Sequence, residues 1–273
     1  MWPNFALAIA LISAPGGAEQ LSISNIRGTY GLLGSQRPDN KLLPGDVYVI
    51  QYDIEGLKTD GDGMVQYSME MDVKDSKGKV IFQTAPRNHE AVLSLGGSRA
   101  QASTYLETGF SQAAGAYEVN VSVVDRLTKA KQNFSRTVQV LPKDFGIVRP
   151  YMSADTAAAV PCAQMGVTGQ YLTLNFGVVG FQRDAKTQQP SVTAEMQIFD
   201  EKDAPTLAKP FLGEVNGGLP AQQDGIRMGF QIGLNRPGKF TIVLKATDKV
   251  ANKAAKKITL PLTVYEQKVT NPE

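Results

Sequence analysis

One sequence motif occurs twice in this chain, and the repeat restricts the folds open to it more than any other feature. Gly115-Ala116-Tyr117-Glu118-Val119-Asn120-Val121-Ser122-Val123-Val124-Asp125 returns as Gly238-Lys239-Phe240-Thr241-Ile242-Val243-Leu244-Lys245-Ala246-Thr247-Asp248. Each copy sets a glycine and an aromatic ahead of an alternating apolar run and closes on an aspartate. A strand with one buried face requires that period of two, and the glycine and aspartate supply the turns at its ends. The offset, 238 − 115 = 123 residues, is close to half the chain. Two related β domains of roughly 120 residues each follow, a usual size for one core.

The repeat extends upstream. Tyr48, Ile50, Tyr52 and Ile54 alternate with Val47, Val49, Gln51 and Asp53, and Leu172, Leu174, Phe176 and Val178 stand 124 residues later (172 − 48). Gly45 and Gly169 precede these strands, and Gly56 and Gly180 follow them. In the next strand Tyr67, Met69, Met71 and Val73 match Val192, Ala194, Met196 and Ile198 at an offset of 125 (192 − 67). The change of one puts an insertion in the loop, because inside a strand it would flip the buried face. Turn signals come next, Asp75-Ser76-Lys77-Gly78 and Asp200-Glu201-Lys202-Asp203. The last strands run over Phe134 to Leu141 and Ile258 to Val264. Pro261 lacks an amide donor and places the latter at or near a sheet edge. No stretch has a helical period, so short strands between turns predict antiparallel sandwiches. The halves meet near Leu141-Pro142-Lys143-Asp144, and the second opens with a strand over Phe145 to Tyr151. So short a connection predicts a preferred angle between them. The alanine-rich segment Ser153 to Val167 reads as a loop.

On these motifs each half resembles a bacterial immunoglobulin-like or fibronectin-III-like domain. The resemblance implies an all-β chain of two tandem immunoglobulin-like antiparallel β-sandwiches, over residues 19–142 and 143–265, with a polar, frayed tail over 266–273. In that family the tyrosine of a Gly-x-Tyr start forms a corner by bonding its hydroxyl to upstream backbone. Tyr117 has that hydroxyl, whereas Phe240 does not and must close its corner differently. The paired cysteines and core tryptophan of antibody domains are absent, the sole tryptophan being Trp2. The fold hosts many functions and selects none.

The N-terminus reads as a targeting segment. Phe5-Ala6-Leu7-Ala8-Ile9-Ala10-Leu11-Ile12 is a short apolar core, and Gly16 and Ala18 suit a signal peptidase, so residues 1–18 form the expected signal peptide. Met1-Trp2-Pro3-Asn4 departs from the pattern by contributing no Lys or Arg. No other stretch approaches the ~18 apolar residues of a membrane span. The expected location is periplasmic or secreted. A formal net charge of +2, from 28 basic and 26 acidic residues, gives no strong field to concentrate nucleic acid. Cys162 is the single cysteine, which excludes an internal disulfide and reads as a small hydrophobe.

Catalysis needs a base or nucleophile within reach of its partner. The single histidine, His89, lies in the polar run Thr84-Ala85-Pro86-Arg87-Asn88-His89-Glu90 and reads as an exposed loop residue; no G-x-S-x-G elbow presents a serine to it. One His and one Cys do not make a zinc site. Asp60-Gly61-Asp62-Gly63 resembles the start of a calcium loop, but Met64 and Val65 break the pattern, and a turn explains the spacing as well. Asp125 and Asp248 are placed like interdomain calcium ligands, with cationic Arg126 and Lys249 beside them arguing against a metal. Arg126, Lys129 and Lys131, and Lys249, Lys253, Lys256 and Lys257, form modest basic clusters. They suit an acidic glycan or anionic protein, and equally an exposed hairpin protected from edge pairing. Tyr30, Tyr105, Phe181 and Phe211 are aromatics that the strand pattern does not place.

These observations predict no catalytic, cofactor-binding or metal-binding residues and no cofactor. The expected function is non-catalytic binding or scaffolding in the cell envelope, with envelope proteins or glycans as partners. A carbohydrate-binding or enzyme-accessory module, or a periplasmic chaperone-like protein that captures strands, are the alternatives. An exposed hydrophobic edge would single out the last.

Overall fold

The computed structural model describes residues 20–267, and among them every regular element is a β-strand. The expected signal peptide and the end of the polar tail lie outside the described residues. The first sandwich contains β1 (Ser22–Thr29), β2 (Lys41–Leu42), β3 (Val47–Glu55), β4 (Met64–Lys74) and β5 (Val80–Gln83). It continues through β6 (Arg87–Val92), β7 (Ala100–Glu107), β8 (Gly115–Asp125) and β9 (Lys131–Val140). The second contains β10 (Gly146–Ser153), β11 (Pro161–Cys162), β12 (Met165–Val167), β13 (Tyr171–Val179) and β14 (Val192–Phe199). Its remaining strands are β15 (Phe211–Val215), β16 (Gly225–Gly233), β17 (Gly238–Asp248), β18 (Lys253–Ala254) and β19 (Ile258–Tyr265).

In the first sandwich a sheet of order β1-β3-β7 faces one of order β2-β9-β8-β4-β5, with β6 also on β4. The second has β11-β10-β13-β16 facing β12-β19-β17-β14-β15, with β18 on β17. The repeated motifs are β8 and β17, each central in its sheet. Their inward positions, Tyr117 to Val123 and Phe240 to Ala246 at every second residue, meet the alternating apolar faces of β3 and β13. Full burial of each such aliphatic is worth about 1.5–3 kcal/mol, so these facing strands hold each sandwich together. Gly45 and Gly169 enter those strands with φ of 93° and 92°, a left-handed corner that explains the repeated glycine.

The pairing is antiparallel except at two places: β2 runs parallel to β9, and β12 parallel to β19. Ser153 to Val167 is therefore not a loop throughout. Met152 and Ser153 pair with Cys162 and Pro161, and β12 lies along Thr263 to Tyr265. Strands of two or three residues carry no period that a sequence could show. Pro261 is exposed on β19, one strand in from the edge strand β12, which fits its missing donor.

Tyr117 makes the expected corner, its hydroxyl donating to Ala113 O at 2.8 Å and accepting from Gln112 Nε2 at 2.7 Å. In the second sandwich the guanidinium of Arg236 lies 4.8 Å from the Phe240 ring centroid and closes the corner by a cation–π contact.

The two sandwiches touch beyond the connection at 141–145. Tyr30, from the first half, is buried in the core of the second. Gly31 allows the close approach there, since a Cβ at that position would lie 2.5 Å from the Cβ of Tyr151. Asp46 is buried at the junction. Its Oδ1 accepts from Arg149 N at 2.7 Å and Val47 N at 2.8 Å, and its Oδ2 from the Arg37 guanidinium at 2.9 Å. Arg149 Nε also donates to Gly45 O, and its guanidinium pairs with Glu107 at 2.7 Å. Such bonds are what a buried carboxylate requires.

Candidate functional site

Each sandwich is closed on one side and open on the other. On the closed side the chain crosses between sheets, from β1 to β2 in the first half and from β11 to β12 in the second. On the open side the terminal strands are β7 in one sheet and β5 and β6 in the other of the first sandwich, and β16 and β15 in the second. A groove of about 370 Å³ lies there in the first sandwich. Ile81 and Phe82 form one wall, Tyr105 and Leu106 the other, and Val73 and Tyr117 the floor. The second sandwich has its counterpart, about 180 Å³, between Leu207 and Phe211 on one wall and Ile232 and Leu234 on the other, over Ile198 and Phe240. Leu207 stands 126 residues after Ile81 (207 − 81), and Ile232 the same distance after Leu106 (232 − 106), so the groove is part of the repeat.

The walls are apolar, and in each groove at least one of them is in water, whereas Ile232 and Leu234 of the other wall in the second are buried. Ile81 is 47% exposed, Phe82 50% and Leu207 49%. Soluble proteins usually blunt a terminal strand with lysine, proline or other charge. Here β5 reads Val-Ile-Phe-Gln and β7 reads Ala-Gln-Ala-Ser-Thr-Tyr-Leu-Glu, with no Lys, Arg or Pro in either. Edges whose one charge is Glu107, at the end of β7, therefore flank an apolar trough, which is chemistry for an added strand. The sequence expectations did not reach Ile81, Phe82 or Leu207. The unbroken apolar run Val80-Ile81-Phe82 after the Gly78 turn was the available signal. Tyr105 and Phe211, unplaced by pattern, border the grooves; Tyr30 sits at the junction, and Phe181 packs on the second core beneath Arg183.

A third concavity, about 550 Å³, lies between the sandwiches. Lys253, Lys256 and Lys257 of the second basic cluster line it, with Lys41 from the first half. Lys253 pairs with Asp144, and Lys256 with Asp39 at 3.1 Å. The Lys253 ammonium holds the Asp144 carboxyl below the usual carboxylate range. For Asp39, burial pushes upward, but the Lys41 amide and the Lys256 ammonium outweigh it and the result is lowered.

The remaining sequence candidates are not brought together. His89 is on strand β6 rather than in a loop, because its backbone pairs with Tyr67 of β4 despite the polar run around it. Its ring stacks on that of Tyr67 at 5.3 Å between centroids. Asp60 Oδ1 accepts from Asp62 N at 3.0 Å and Met64 N at 2.9 Å, so that carboxylate ties its own turn. Asp125 and Asp248 are fully buried and bond backbone. Oδ2 accepts from Lys58 N in one and Gln182 N in the other; Oδ1 takes Leu127 N and Thr128 N, or Val250 N and Ala251 N. Among the described residues no three His, Cys, Asp or Glu side chains group to hold a metal. Cys162 is half-buried against the second core, and burial first, then Asp155, raises its thiol. Arg126, Lys131 and Lys249 face Glu90, Glu70 and Glu214 respectively. No helix of the described residues is long and apolar enough to cross a membrane.

No protein-family model matches the chain, and no curated protein matches it. Many solved structures are similar to it, and two of them show the degree of likeness. A red sea bream transglutaminase shares 9% identity at a TM-score of 0.28, over 91% of this chain and 31% of that one. The chain thus spans under a third of that protein's length. The C-terminal domain of the AgI/II polypeptide BspA of Streptococcus agalactiae shares 8% identity at a TM-score of 0.28, over 87% of this chain and 99% of that one. Likenesses this distant carry no argument about activity.

Proposed function

We propose that the protein is a non-catalytic, extracytoplasmic binding protein that captures extended apolar segments of partner polypeptides in its inter-sheet grooves. The carrying observation is the apolar groove that recurs in both sandwiches, bordered in the first by β5 and β7, which carry no Lys, Arg or Pro. A segment laid into it would complete the unpaired backbone edge and place alternate side chains on the apolar floor, the usual mode of strand addition. Two grooves on one chain would let one partner engage twice and gain by effective concentration. The apolar N-terminal segment supports an envelope or secreted setting.

Fluorescence anisotropy with a labelled peptide of alternating valine and threonine tests the reading. Saturable binding is expected. A control of the same composition with a central proline should bind weakly, because it cannot complete the edge. Ile81→Lys and Leu207→Lys should each weaken binding by about tenfold while leaving the fold intact, since both side chains are half in water. Equal binding of the two peptides, or full affinity in the double variant, would exclude strand capture.

A further inference from the structure

We propose that the crevice between the two sandwiches is a binding site for a small organic anion, with an apolar body and a carboxylate, sulfonate or phosphate head. Its volume of about 550 Å³ falls within the range of sites that enclose drug-sized molecules, and such sites favour domain junctions. Leu43, Phe145, Ile147 and Ile258 line it and offer apolar cover for the body of the ligand. The head would meet the rim, where Lys41, Lys253, Lys256 and Lys257 converge from both halves.

The charges at this rim do not cancel. Five cations, the four lysines and Arg37, line the crevice against three carboxylates, an excess of two (5 − 3 = 2). This excess sits in one concavity, whose walls focus its field. All three carboxylates already have cations: Asp39 has Lys256, Asp144 has Lys253, and Asp46 has Arg37. Lys41 and Lys257 have no anionic partner among the described residues, and both are exposed. Deeper in, the Arg37 side chain is 8% exposed, and its buried Nε–H meets no acceptor among the described residues. No residue of this crevice lines either groove, so the site is independent of strand capture.

The test pairs anilinonaphthalene sulfonate with its uncharged parent, phenylnaphthylamine, which has the same aromatic body and no head. Calorimetry gives affinity, and amide NMR locates the site on the full chain. The expected result is a saturable site for the sulfonate that shifts the amides of Lys41 and of residues 253–259. Binding should weaken as salt is added. Replacing both Lys41 and Lys257 by alanine should lower affinity by about tenfold, and replacing both by arginine should retain it. Unmoved crevice amides, equal shifts with the uncharged parent, or unchanged affinity in the double alanine variant would each overturn the proposal. Shifts confined to the grooves would overturn it too, without touching the strand-capture reading.

Discussion

A carboxylate buried at the end of a strand is costly unless its lone pairs are used, and Asp125 and Asp248 use theirs on matching backbone amides. One oxygen holds the hairpin that follows its own strand; the other reaches across to Lys58 N or Gln182 N, beyond the end of β3 or β13. The repeated aspartate thus ties the two sheets of each half at one corner, which accounts for its recurrence without a metal. Asp125→Ala would strand three amides and should cost about 3 kcal/mol, read from urea unfolding curves. The titration has a defined sign. Burial raises the Asp125 pKa, but the amides of Lys58, Thr128 and Leu127 outweigh it, and the folded value lies below the ordinary one. The contribution to stability is then complete above about pH 4 and is lost as pH falls through the folded value. Stability of Asp125→Asn should therefore fall less steeply than that of the parent protein between neutral pH and pH 3.

At the scale of elements, what could be read from sequence follows strand length only in part, since β1, β7 and β16 run for eight or nine residues and were not reached. Strands β3, β4, β8, β13, β14 and β17 run for eight to eleven residues and show their buried face by alternation. The short β2, β11, β12 and β18 exist only because a neighbour's backbone is there to pair with. The grooves were hidden for a related reason. Ile81 and Tyr105 come to face each other through the pairing of β5 with β4 and β7 with β3, and local periodicity does not encode that. A paired comparison separates groove wall from groove floor. Phe82→Lys should change the unfolding free energy by no more than about 0.5 kcal/mol, as for an exposed position. Tyr117→Ala, and Phe240→Ala in the other half, should each cost about 3–5 kcal/mol. A comparable loss at Phe82 would make β5 a core strand and remove the wall from the groove.

For the whole molecule, the question is which contacts make two sandwiches behave as one. The rim pair of Lys256 with Asp39 is exposed on the lysine side, and such pairs contribute about 1 kcal/mol at most. Asp46 is different, because it is buried and its removal strands the amide of Arg149 and leaves the Arg37 guanidinium without its carboxylate. Breaking a buried pair of this kind costs about 3–5 kcal/mol. Part of that cost falls on the junction, since Arg37 and Asp46 belong to one half and Arg149 to the other. Calorimetry should show the parent protein unfolding in a single transition, Lys256→Ala doing the same, and Asp46→Ala separating into two transitions, one for each core. A single transition in Asp46→Ala would shift the coupling to Tyr30, buried in the second core with Gly31 against Tyr151. Tyr30→Ala would then be the variant that separates the two transitions.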